Sequence, residues 1–301
     1  MESCFSGLYE WGADVKPTSK SFDSALRRHW KKVSSEWKKA RGKSSQKSVH
    51  DLRVGVRRMI MLLEFFAAFD SVDSNRVEKL RKRFKKILRL IGPLRDVQVA
   101  HSGFNSLKSP DSFGGFGKSL KREEAAELNR VRRKLKPERK SKLRDGIDAL
   151  IKDSANIPSH ALGRTPPLIA LVVVRRRLRR LETARRSFRP ASSASLHKMR
   201  IALKKLRYAL ETTKELFGQT PAGGVKSIET HQTRMGNLRD LQLLQARLQH
   251  WANGSRSVEA QSIQAVLLEI EERSSKLMGD VKTTHRQLAR PLEVLGTKLA
   301  Y

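Results

Sequence analysis

The residues that could do chemistry form a repeated pattern. His-x2-Arg-x3-Arg-Arg opens at His50, and His-x2-Arg-x3-Lys-Lys-x-Arg opens at His197. Apart from a neutral imidazole, these side chains only donate hydrogen bonds. Their chemistry is recognition of oxyanions through charge-assisted hydrogen bonds rather than bond breaking. At about 100° per residue on a helix, His50, Arg53, Arg57 and Glu64 share one face. Leu52, Val56, Met59, Leu63 and Phe66 gather on the other. The second copy sorts alike: His197, Arg200, Lys204 and Arg207 oppose Met199, Leu203, Leu206 and Leu210. One stripe is fit to build a core, and the other presents cations in steps of about 5–6 Å. A phosphate monoester needs only a few donors. Two such rows, extended upstream by Arg28 and Lys32 and by Arg175 and Arg179, suit a longer, repetitive polyanion. A solvated helix face normally mixes signs for i,i+4 support, whereas this one is nearly all positive and occurs twice.

Carboxylates near the rows are few. Glu64 and Glu211 read as partners of neighbouring arginines. Asp96 and Asp240 each follow a Gly-x-Leu-Arg turn and read as helix caps or as partners of Arg95 and Arg239. Each histidine is expected in the first turn of its helix, where free N–H groups and the dipole favour an anion.

The elements that position these rows come from an internal duplication. His50 and His197 are 147 residues apart, and the same offset pairs Arg53 with Arg200, Arg57 with Lys204, Arg58 with Lys205 and Glu64 with Glu211. It continues upstream, pairing Arg28 with Arg175 and Lys32 with Arg179. "GPLRDVQV" at 92–99 matches "GNLRDLQL" at 236–243. The expected organisation is an extension over 1–20, one half over 21–155 and a second over 166–300. Both halves read as all-α, with no sustained period-two alternation. Phe22, Leu26, Val33 and Trp37 mark a first helix, and Val77, Leu80, Phe84, Leu88 and Ile91 a third. Ser48 and Ser195 are the expected N-caps of the histidine helices, and Thr165 with Pro166 the start of the helix before the second. Pro137 is expected to kink a long charged helix, and 106–119 and 154–167 to be linkers.

Totals bound the function. Sixty-three Lys+Arg against thirty Asp+Glu give +33, which favours polyanionic partners. Cys4 is the only cysteine, so no internal disulfide or cysteine zinc site can form, which fits a reducing compartment. The apolar run "LIALVVV" at 168–174 is too short to span a membrane, and the start lacks a signal pattern. "SFGGFGKS" at 112–119 misses a phosphate-binding loop because Ser112 stands at the first glycine. His29, His101, His160, His231, His250 and His285 are scattered and read as surface or packing residues. Neither metal-ligand spacing nor a nucleophile with a base is evident, so no enzyme, metal or cofactor is expected.

On "VHDLRVGVRRMI" (49–60) with "GPLRDVQV", and "LHKMRIALKKLRYALE" (196–211) with "LRD" (238–240), the sequence resembles the CHAD family, the conserved histidine α-helical domain. The resemblance covers nearly the whole chain after about residue 20. It implies two four-helix bundles related by a pseudo-twofold axis, with a basic channel where they meet. It also implies binding of inorganic polyphosphate without turnover. The ligand-facing set carried over is His50, Arg53, Arg57, Arg58, His197, Arg200, Lys204, Lys205 and Arg207, joined by Arg28, Lys32, Arg175 and Arg179. Ile60 stands where the second copy has Arg207, which implies a weaker contact in the first half. The alternative is non-specific nucleic-acid (RNA) binding, against which the scarcity of aromatics on the rows argues. No membrane partner is expected, oligomeric state is not encoded in these patterns, and the place of action is cytoplasmic, free or at polyphosphate granules.

Overall fold

The structure, a computed structural model, describes residues 19–42, 45–69, 72–108, 114–155, 159–218, 225–254 and 260–298. Among them are ten helices and no strand. The first half holds α1 (Ser19–Arg41), α2 (Gln46–Phe66), α3 (Ser74–Phe104), α4 (Gly114–Lys134) and α5 (Pro137–Ala155). The second holds α6 (Ser159–Arg186), α7 (Ser193–Phe217), α8 (Val225–Gly254), α9 (Ala260–Gln287) and α10 (Ala289–Lys298). The order repeats: first helix, histidine helix, long helix, and a fourth arm broken in two. No described helix is long and apolar enough to cross a membrane.

The histidine helices form as their spacing predicts. On α2 the apolar stripe of Leu52, Val56, Met59, Leu63 and Phe66 is fully buried. Each such side chain contributes roughly 1.5–3 kcal/mol on leaving water. The caps lie one turn earlier than expected. Ser45 caps α2 by accepting from the Ser48 N–H, and the Ser48 hydroxyl accepts from the Ser45 N–H, closing a capping box. Ser192 caps α7 in the same way, accepting from the Ser195 N–H. Ser48 and Ser195 are therefore third in their helices. His50 and His197 stand in the second turn, where their N–H groups belong to the helical ladder. No free N–H group of the first turn therefore belongs to either histidine.

Other breaks also fall elsewhere. α3 runs through Gly92 and Pro93 without ending, because Pro93 faces solvent, where the carbonyl it leaves unbonded can reach water. Arg95, Asp96, Arg239 and Asp240 thus lie in helix interiors, not at a turn or cap. Pro137 opens α5 instead of kinking a helix, since the first turn tolerates a missing N–H. α6 starts at Ser159, so Thr165 and Pro166 are inside it, and Gly114 to Ser119 of the expected linker are helical. Cys4, Ser112 and all of the extension except Ser19 and Lys20 lie outside the described residues.

The halves pack along corresponding helices: α2 against α7 and α3 against α8. The larger core runs through both halves, from Phe22, Leu52 and Phe84 to Leu203, Leu206 and Met235. A smaller core joins the far ends of α3, α4, α8 and α9 through Phe104, Phe116, Leu244 and Ile270. The cationic faces of α2 and α7 are therefore brought to the seam between halves.

Candidate functional site

At the seam the two rows converge. Lys204 on α7 feels Arg57, Arg200 and Arg53, two of them from the opposite half. Arg53 in turn feels Arg57, Arg200 and Arg95, with Asp96 opposing. The Arg53 guanidinium occupies space left by Gly92, where an added Cβ would meet its Nη1 at 3.5 Å. Arg95 and Arg200 are half-buried between Asp96 and Asp240. Among the described residues, no carboxylate oxygen comes within 4.0 Å of a cationic nitrogen of Arg53, Arg57, Arg200 or Lys204. The Arg200 Nε is buried without a hydrogen-bond partner.

The electrostatics follow from burying like charges together. Desolvation, reinforced by Arg57 and Arg200, pushes Lys204 down to about 6. Desolvation with Arg57 pushes Arg53 down to about 10. Burial and the charges of Arg95, Arg57 and Arg53 hold His50 below the ordinary imidazole value, with Asp51 opposing. Asp240 is raised by burial, against the pull of Arg200, Arg95 and Lys204. Among the described residues, the carboxylates that most influence Arg53, Arg200 and Lys204 are Asp96 and Asp240, set against several neighbouring cations. The arrangement holds excess positive charge in a poorly solvated place, which an anion would relieve.

Other expected residues have different employment. Glu64 does pair with arginines, but with Arg176 and Arg177 of the other half rather than with its own stripe. Glu211 takes Arg58 at 3.1 Å and Arg207 at 3.2 Å. Arg207 also lies over the Tyr208 ring, 5.2 Å from its centroid. The extra cation of the second copy is thus committed to the seam, while Ile60 packs against the core. Arg28 does not stand free in the row: it donates to Glu215 at 2.7 Å, and His29 meets the other oxygen of the same carboxylate at 2.7 Å. Glu215 lies one turn beyond the position equivalent to Glu64, and it carried no signal in the sequence. Lys205 turns away from Lys204 into a groove between α6 and α7. His197 is exposed beside Arg200 and Arg239 between α7 and α8. Lys32 is exposed and acts on Asp51. Arg179 is exposed and Arg175 half-buried on α6, and neither is among the largest influences on the cluster.

The scattered histidines pack as expected where they are described. His101 meets Glu124 at 3.0 Å, His231 meets the Thr284 hydroxyl at 2.6 Å, and His285 stacks on Phe188. Among the described residues, no group of three or more His, Cys, Asp and Glu is placed to hold a metal ion.

A family model described as the CHAD domain fits residues 24–249. The chain belongs to the CHAD domain family. Two solved structures are similar to it throughout. The CHAD domain from the plant Ricinus communis is 18% identical, with a TM-score of 0.60 over 93% of this chain and 91% of that one. PptA from Streptomyces chartreusis is 13% identical, with a TM-score of 0.59 over 95% of this chain and 100% of that one. No curated protein sequence matches the chain. The family match ends within α8 of this CHAD domain, whereas both structural matches extend over nearly the whole chain.

Proposed function

We propose that this CHAD domain binds inorganic polyphosphate along the seam of α2 and α7 and does not turn it over. The observation that carries this reading is the convergence of Arg53, Arg57, Arg200 and Lys204 from both repeats into one cation-rich cluster. A chain of phosphates would supply the missing counter-charge, accept hydrogen bonds from the guanidinium forks and release its own counterions. Arg53 stays charged in a poorly solvated place, where an ion pair with phosphate is stronger than at an exposed lysine, whereas Lys204 must first take up a proton. Lys32, Arg175, Arg179, His50 and His197 would extend the track at its ends, and Arg58, Arg207 and Arg28 would hold the seam together.

Catalysis has little to work with in this arrangement. Glu64, Glu211 and Glu215 are tied in ion pairs, and Asp96 and Asp240 sit among cations. Single-strand RNA reading would need exposed rings for stacking, yet Tyr208 is buried beneath Arg207 and Trp30 packs on the core.

Titration calorimetry with long-chain polyphosphate and with single-stranded RNA of equal charge, at low and near-physiological salt, tests the proposal. Polyphosphate binding should survive the salt increase and collapse in Arg53→Ala/Arg200→Ala, while RNA binding fades. Equal binding of both polymers, indifferent to the substitutions, would show that bulk charge alone was at work.

A further inference from the structure

Outside the seam, one cavity is lined by cations most of which have no cationic counterpart in the other repeat. The groove between α6 and α7 has a volume of about 340 Å³. Arg177, Arg180, Lys198 and Lys205 surround it, and Ala184, Ile201 and Ala202 give it an apolar wall. Ile201 is among the few large apolar side chains left exposed, at 36%.

Three observations make this a built site and not a crease. Arg177 is 95% buried, counting from its 5% exposure, yet its Nε and Nη1 have no hydrogen-bond partner. Only its Nη2 is used, by Glu64. Those two nitrogens are sealed from solvent, so Arg177 lends the groove its charge from behind the wall and not free donors. Second, three of the four equivalent positions in the first half are not cationic: Arg177 and Arg180 correspond to Trp30 and Val33, and Lys198 to Asp51, while Lys205 keeps a cationic counterpart in Arg58. There the two helices close on each other, with Val33 against Gly55. The groove as a whole therefore belongs to the second repeat, with Lys205 the one lining cation that the duplication pairs. Third, Arg53, Arg200 and Lys204 do not line it.

We infer that the α6–α7 groove is a second anion site, built for a compact phosphorylated molecule with an apolar body rather than for a polymer of phosphates. The exposed rim of Arg180, Lys198 and Lys205, backed by the buried charge of Arg177, takes the phosphate. The Ala184, Ile201 and Ala202 wall takes the apolar part, for which a bare phosphate chain has no use.

Phenyl phosphate serves as the probe, with inorganic phosphate as control, read by calorimetry on the full chain. Phenyl phosphate should bind about tenfold or more tightly than inorganic phosphate, because the ring leaves water on the apolar wall. Arg180→Ala/Lys198→Ala, which leaves the Arg177–Glu64 pair intact, should weaken it about tenfold or more by removing two charge-assisted contacts. The same variant should keep its polyphosphate affinity, and Arg53→Ala/Arg200→Ala should keep its phenyl phosphate affinity. Phenyl phosphate binding that is no better than inorganic phosphate, or that is lost with Arg53 and Arg200 and kept without Arg180 and Lys198, overturns the inference. Failure of wild-type protein to bind polyphosphate would remove only the seam proposal, since the groove is read by a separate ligand and a separate variant.

Discussion

At Lys204, burial and three neighbouring guanidiniums oppose a charge that the unfolded chain would carry freely. The folded value of about 6 lies below the ordinary 10.5, so between these limits the unfolded state holds a proton that the folded state has released. Stability from this group consequently rises with pH across the window; the full penalty is present below about 6 and gone above 10.5. A polyanion at the seam reverses the preference by favouring the ammonium. Association near neutral pH should therefore take up protons from the buffer and tighten as pH falls towards 6. Calorimetry in Tris and in PIPES measures that uptake, and Lys204→Met should lose most of it. Unchanged uptake in the variant would assign the proton elsewhere, with His50 the next candidate.

Between helices, the two repeats solve the same packing problem differently. A Cβ on Gly55 would meet Val33 Cγ2 at 3.1 Å, so α1 and α2 approach at nearly backbone distance. The equivalent pair in the second half is Arg180 and Ala202, which leaves the α6–α7 groove open. Gly55→Leu should cost roughly 1–3 kcal/mol through overpacking, measured by urea unfolding. Ala202→Leu, projecting towards open space, should cost less. Equal stability of wild type and Gly55→Leu would contradict the close approach. Local signals were the ones that sequence carried well: the apolar stripe of α2 is buried as its spacing predicts. Serines three apart, Ser45 and Ser48, are each sound caps, and only the chain direction before them decides which one is outside the helix. Gly92 and Pro93 look like a break because breakers are read without knowing that Pro93 faces water. Lys204 and Lys205 are adjacent, yet one faces the seam and the other a groove, a choice made by what packs on either side. The contact of Arg28 and His29 with Glu215 spans more than 180 residues of chain and has no local signature.

The whole molecule carries +33, and a compact body with that charge is strained by its own field. Added salt shortens the reach of each charge to about 10 Å at 0.1 M. Sodium chloride should therefore raise the melting temperature while weakening polyphosphate binding, two trends of opposite sign from one cause. A melting temperature that falls with salt, followed by circular dichroism, would mean that the ion pairs across the seam outweigh the self-repulsion. The two separate cores that join the halves bear on recognition itself. One lies along α2 and α7, the other at the far ends of α3, α4, α8 and α9. Fastened at both places, the described parts of the two halves are held against opening like a clamshell. An incoming anion meets a preorganised surface, so little of its binding free energy is spent on ordering the protein.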